Sequence, residues 1–203
     1  MNHVLTPHSR SYNLIELGNR IKEEGCHWHL LCVKGEHKYP NLGSWVTQYH
    51  FDPMPKDWGF LGHYLVNAFL DNVEIKDEDR FVVATDDDFF EPGLFKKIDE
   101  YDDDIIIVSM KRSNKPTGTD AGCPFGTLIA APENMKTVFV GFEQAIIKGK
   151  ILRNYRCEGV VYHADGLLLE KLWLEHMEKF RFLPDCYVYF NYLPPGRAGR
   201  WDR

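Results

Sequence analysis

Three consecutive carboxylates, Asp86-Asp87-Asp88, follow directly on the apolar run Phe81 to Thr85. Carboxylates in succession repel one another and resist desolvation, so in a cleft something must offset their charge. A hard divalent cation with oxygen ligands does this. Asp86 and Asp88, as alternate residues, can both turn towards one ion while Asp87 points elsewhere. The competing account is an acidic loop opening a helix, because Asp is favoured at a helix N-terminus. A second run, Asp102-Asp103-Asp104, precedes its apolar segment instead of following it. In open, mostly parallel sheets ligands bind beyond the carboxyl ends of strands. The first run is therefore the candidate site and the second a solvated turn.

Tyr162-His163-Ala164-Asp165-Gly166-Leu167 delivers a His and an Asp to the start of a long helical pattern. A carboxylate there gains from the helix amides and can take a proton from an attacking hydroxyl. Asp165 is the expected base, with Glu158 and Asp185 as competitors; equally, Asp165 could simply cap the helix. In the tail, Arg197, Arg200 and Arg203 stand around Gly196, Gly199 and Trp201. Arginines on a glycine-flexed loop can close over a diphosphate, and a frayed basic terminus is the bland alternative. Residues 113–122, with Lys111 and Arg112 before them, have the polar, Gly-containing composition of a mobile loop over a donor or acceptor. Cys26-His27-Trp28-His29-Leu30-Leu31-Cys32 resembles a zinc site only superficially. In a strand its cysteines share one face, roughly 20 Å apart, and its histidines take the other.

These residues need a scaffold. Strands are expected at Val4 to Thr6, His27 to Val33, Trp45 to Phe51, Phe81 to Thr85 and Asp104 to Met110. Helices are expected at Asn13 to Glu24, at Phe60 to Asn72 and from Glu91-Pro92 onward. The first half thus alternates strand and helix, the pattern of an α/β sheet covered on both faces. In the second half strands are expected at Gly126 to Ala131, Val160 to Tyr162 and Cys186 to Tyr192. Helices are expected at Pro132 to Lys148 and at Asp165 to Lys179, the latter with Leu168, Leu172 and Met177 inward.

The 203 residues carry a net charge of -6, with 44% hydrophobic and 27% charged residues. That balance suits one globular domain and lacks the basic footprint of a nucleic-acid binder. No apolar run reaches the length of a membrane span, and the N-terminus lacks the pattern of a signal peptide. Five scattered cysteines (Cys26, Cys32, Cys123, Cys157, Cys186) read as free, mostly buried thiols, and the chain reads as cytoplasmic.

The segment Val82-Val83-Ala84-Thr85-Asp86-Asp87-Asp88-Phe89-Phe90-Glu91-Pro92-Gly93-Leu94 resembles the DxD signature of GT-A-fold glycosyltransferases. Asn67-Ala68-Phe69-Leu70-Asp71 is similar to the helix these enzymes place before it. The order of elements agrees over the whole chain, and the motif likeness covers residues 60 to 95. The resemblance implies a Rossmann-related α/β fold, with 1–110 as a nucleotide-sugar-binding half and 111–203 as an acceptor-binding half with a C-terminal loop. It implies a UDP- or GDP-sugar donor, UDP favoured, with Mn²⁺ or Mg²⁺. Asp88 would ligate the metal, and Asp86 the ribose or a metal-bound water. Thr6, Pro7 and Arg10, Glu36 in place of the more usual Asp, Asn67, Asp87, Arg197 and Arg200 would contact the nucleotide. Asp165 would act as base in an inverting transfer to an acceptor hydroxyl that the sequence does not name. No His follows His176, so the C-terminal histidine ligand common in these enzymes is missing or supplied differently.

Other readings have less support. A haloacid-dehalogenase-type phosphatase needs its Asp pair near the N-terminus with Thr or Val four residues after the first Asp, where this chain has Phe90. A sugar-nucleotide nucleotidyltransferase normally begins with a Gly-rich loop, whereas Thr6-Pro7-His8-Ser9-Arg10 has no glycine. A non-catalytic glycan- or protein-binding relative of the fold is the third alternative.

Overall fold

The computed structural model describes residues 1–7, 14–35, 43–58, 60–85, 88–112, 126–137, 139–158, 161 and 163–190. Strand β1 (Asn2–Pro7) leads to helix α1 (Leu14–Glu23), whose Leu14, Leu17 and Ile21 repeat at helical spacing and face inward. Strand β2 (His27–Val33) and strand β3 (Val46–Phe51) follow, then helix α2 (Leu61–Asn72) and strand β4 (Arg80–Val83). Two-residue β5 (Phe89–Phe90) and the short helix α3 (Leu94–Ile98) precede β6 (Ile105–Arg112). The second half contains β7 (Thr127–Leu128), β8 (Ala145–Lys148), α4 (Gly149–Leu152), α5 (Ala164–His176) and β9 (Phe180–Phe190).

The strands form one mixed sheet in the order β3-β2-β1-β4-β8-β6-β9-β5, with β7 on β6. β1 pairs in parallel with β2 and β4, β2 with β3, and β6 with β9, while β8 runs antiparallel between β4 and β6. Consequently β1, β2, β3, β4, β6 and β9 all point their carboxyl ends to one edge. Strand order reverses at β1: β2 and β3 extend to one side and β4 lies on the other. The carboxyl ends of β1 and β4 flank this switch point, where doubly wound sheets place their ligands.

Alternation in β2 sorts the core. Cys26, Trp28, Leu30 and Cys32 pack towards α1 and α3, whereas Leu31 and Val33 pack towards α2 and α5. Cys26, Cys32, Cys157 and Cys186 are buried free thiols. Burial raises the Cys32 thiol to about 12, which keeps it protonated and inert.

The second acidic run is a paired turn at the amino edge. Lys148, almost without exposed side-chain surface, reaches Asp102 at 2.8 Å and Glu78 at 3.1 Å, while Lys150 holds Asp104 at 2.8 Å. Arg181 holds Asp103 at 3.1 Å.

Several sequence expectations are corrected. Residues 132–148 do not form one helix: two 3-10 turns (Pro132–Asn134 and Phe142–Gln144) lead into β8. Gly141 and the β-branched pair Ile146-Ile147 disfavour a helix here, and β8 fills the gap between β4 and β6. The last strand begins at Phe180, not Cys186, and runs through Pro184. Proline is tolerated because the register shifts between Val108 and Ser109, and the Ser109 hydroxyl donates to the Pro184 carbonyl at 2.8 Å. Met177 is 53% exposed, not inward, because α5 stops at His176 and a 3-10 turn follows. The helix expected from Glu91-Pro92 starts at Leu94. Gly93 takes φ 79° before it, and the Glu24 carboxylate caps it through the amides of Gly93 (2.7 Å) and Phe95 (3.2 Å). The strand expected at Gly126 to Ala131 is only Thr127–Leu128. Of the strand expected at 160–162, residues 160 and 162 lie outside the described residues, and Val161 is not in a strand. Residues 113–122 also lie outside them.

Candidate active site

β4 continues its pairing one residue past its end, where the Ala84 N–H donates to the Leu5 carbonyl at 3.0 Å. The chain then turns. The Asp88 N–H donates to the Thr85 carbonyl at 3.1 Å, and Asp88 Oδ2 accepts from both the Thr85 N–H and the Thr85 hydroxyl at 2.7 Å. Asp88 is 1% exposed. Its carboxylate is thus drawn into the turn at the switch point instead of lying in open solvent. Phe89 and Phe90 immediately pair with Tyr189 and Val188 of β9, anchoring the far side of the turn. A cleft of about 520 Å³ adjoins this strand, between Glu16, Asn19 and Arg20 of α1 and the rings of Phe89 and Tyr189.

At the carboxyl end of β1, Pro7 pairs with Leu31. Thr6 has no exposed surface, and its hydroxyl accepts the Trp28 indole N–H at 2.9 Å. Asn67 of α2 is also buried and committed. Its amide nitrogen donates to the Cys157 carbonyl at 2.9 Å, and its amide oxygen accepts the Cys157 N–H at 3.0 Å. Both side chains, expected at the nucleotide, serve the packing of the fold here. Arg10, Glu36, Asp86, Asp87, Arg197 and Arg200 lie outside the described residues.

A second group assembles where α2 and α5 begin. The residue in the cap position of α5 is His163, whose side chain makes no cap hydrogen bond; Asp165 sits within the first turn. Asp165 Oδ2 accepts the Phe142 N–H at 3.2 Å, and Oδ1 lies 3.6 Å from Nε2 of His63. Gly166 permits this arrangement: a Cβ there would sit 2.0 Å from the Thr137 carbonyl oxygen. Gln144 braces the turn below, its amide donating to the Val108 carbonyl at 3.1 Å. His63 is 6% exposed and flanked by the Phe60 ring at 4.7 Å. Burial holds its pKa below the ordinary histidine value, against the opposing pull of the Asp165 charge.

The competitors for the base lie elsewhere. Glu158 is exposed, and Asp185 is exposed on the irregular stretch of β9 beside Lys97 and Arg181. His63 and Thr85 were missed from sequence. A lone histidine in an amphipathic helix carries no functional signal, although the Thr-x-x-Asp spacing of residues 85 and 88 is a readable turn signal.

Among the described residues, no three His, Cys, Asp or Glu side chains converge to hold a metal. Asp88 brings one carboxylate to the strand end, and its Oδ2 already takes two hydrogen bonds.

TarS of S. aureus, fragment 1–349, superposes with a TM-score of 0.64 at 17% identity, over 93% of this chain and 59% of that one. The same fragment in complex with UDP-GlcNAc gives 0.62 at 16% identity, over 97% and 59%. The mannosyltransferase PcManGT from Pyrobaculum calidifontis, in complex with GDP-Man and Mn²⁺, gives 0.58 at 13% identity, over 96% and 57%. The fold is GT-A-like. The chain spans less than two thirds of the length of these proteins. No family model and no curated protein matches its sequence. Within this GT-A-like fold, the Thr85–Asp88 turn stands at the switch point and Asp165 in the first turn of α5. Among the described residues no helix is long and apolar enough to cross a membrane.

Proposed function

We propose that this chain is a metal-dependent glycosyltransferase that moves a sugar from a UDP- or GDP-sugar to an acceptor hydroxyl with inversion. The observation that carries the reading is the buried Asp88 carboxylate in the turn at the carboxyl end of β4, beside the strand-order reversal. A neighbour of the same fold holds GDP-Man and Mn²⁺, and another holds UDP-GlcNAc, which supports a nucleotide-sugar donor.

In this reading Asp86 and Asp88 hold Mn²⁺ or Mg²⁺, which when bound supplies positive charge against the departing diphosphate. Pro7, Arg10, Glu36 and Asp87 surround the nucleotide, and Arg197 and Arg200 close over the diphosphate. Thr6, Asn67 and Thr85 act behind them as supports. Asp165 takes the proton of the acceptor hydroxyl as that oxygen attacks the anomeric carbon. The carboxylate is suited to this because two separate elements fix its orientation.

The test is thermal unfolding with Mn²⁺ or Mg²⁺ and a panel of UDP- and GDP-sugars. One donor with metal raises the Tm of the wild type, and Asp86→Ala removes that rise. A melting curve unchanged by every donor with metal present overturns the assignment.

A further inference from the structure

His63 lies far from Asp165 in sequence, yet the start of α2 brings its ring against the first turn of α5. Its Nε2 is 3.6 Å from Asp165 Oδ1, and its buried Nδ1 has no hydrogen-bond partner among the described residues. These facts select one protonation state. A proton on Nδ1 would bury an unpaired donor, whereas a bare Nδ1 lone pair leaves only an unpaired acceptor, the more tolerable of the two. The proton then sits on Nε2 and faces the carboxylate. An imidazolium would need protons on both nitrogens, and among the described residues no acceptor faces an Nδ1–H.

We infer that His63 is a positioning residue for Asp165, a neutral imidazole whose Nε2–H steers Oδ1 while the Phe142 amide holds Oδ2. The inference rests on the reading of Asp165 as the base. At 3.6 Å the ring acts through its N–H dipole, and a shift of a few tenths of an ångström makes the hydrogen bond when an acceptor fills the site. Because His63 stays neutral, the proton taken from the acceptor hydroxyl remains on Asp165. Among the described residues, the titratable groups acting on the ring are Asp165, in the first turn of α5, and His163, in its cap position. Burial pushes the Cys157 thiol up, so it stays protonated and adds no charge beside them.

The experiment is ¹⁵N NMR of the His63 ring, in the wild type and in Asp165→Asn. The neutral Nε2–H form is expected in the wild type at pH 7. In the variant the His63 midpoint falls by about one pH unit or more, because a stabilising negative charge has gone. An Nδ1–H form, or a midpoint indifferent to Asp165→Asn, overturns the inference. In a transfer assay, His63→Leu lowers kcat roughly tenfold to a hundredfold with the donor KM unchanged. His63→Gln, which keeps an N–H near the Nε2 position, restores most of the rate. Equal losses for Leu and Gln also overturn it. If the wild type transfers no sugar, the proposed activity fails while the NMR result still decides the pairing.

Discussion

The Asp88 carboxylate is held by Thr85 through two hydrogen bonds of 2.7 Å, one from the backbone N–H and one from the hydroxyl. A residue expected as a metal ligand therefore also closes the turn that carries the acidic run. Removing the hydroxyl with Thr85→Val leaves the backbone bond intact and should cost about 1–2 kcal/mol in urea unfolding. The larger consequence expected is a weaker donor-induced rise in Tm, since the turn loses one of its braces. A donor response equal to that of the wild type would separate the turn from the binding site.

Asn67 gives the opposite expectation. Both ends of its amide bind the Cys157 backbone inside the core. Asn67→Ala should destabilise the protein by roughly 2–4 kcal/mol, through two buried backbone groups left unpaired. At a temperature where the variant is folded, the Tm rise caused by donor and metal should persist. Its loss in an otherwise folded variant would return Asn67 to the nucleotide site.

A chain of histidines at the amino edge sets an acid limit. His3 Nδ1 and His29 Nε2 are 2.8 Å apart, and His3 Nε2 lies 3.2 Å from Asp79, at ion-pair distance but poorly aligned for a hydrogen bond. Burial, with His3 and His27 alongside, lowers His29 from 6.5 to about 3. The folded state therefore binds fewer protons than the unfolded chain in this range. The contribution of His29 is fully present above about pH 6.5 and is lost as pH falls towards 3. Between pH 6.5 and 4 the loss is roughly 3 kcal/mol. Urea unfolding across that range should show the slope, and His29→Phe should flatten it; an unchanged slope would assign acid sensitivity elsewhere.

Asp165→Asn keeps the shape of the side chain and an oxygen for the Phe142 N–H. Donor and metal should still raise the Tm as in the wild type, while transfer falls by about 10²-fold or more. Turnover within a few-fold of wild type would remove Asp165 from the role of base.

Much of the fold could be read from local pattern. The Ile105-Ile106-Ile107-Val108 run had to be a strand buried on both faces, and it became one that pairs with β8 and β9. Alternation in His27–Val33 placed cysteines and histidines on opposite faces, as a period of two requires. The position of Asp86-Asp87-Asp88 after its strand, and of Asp102-Asp103-Asp104 before one, marked opposite edges of the sheet. Residues 132–148 failed as a helix because their final conformation depends on a vacancy between β4 and β6 that no local window contains.

By itself the sequence determined which segments could be strands or helices, and on which side of each strand the carboxylates fall. Those properties depend on neighbouring residues and on the geometry of a single element. Only the tertiary structure decided that Asp88 folds back onto Thr85, that Asn67 is spent on the Cys157 backbone, and that His63 meets Asp165. Contacts between distant segments are selected by the packing of whole faces, and that information is distributed over the chain instead of residing in any motif.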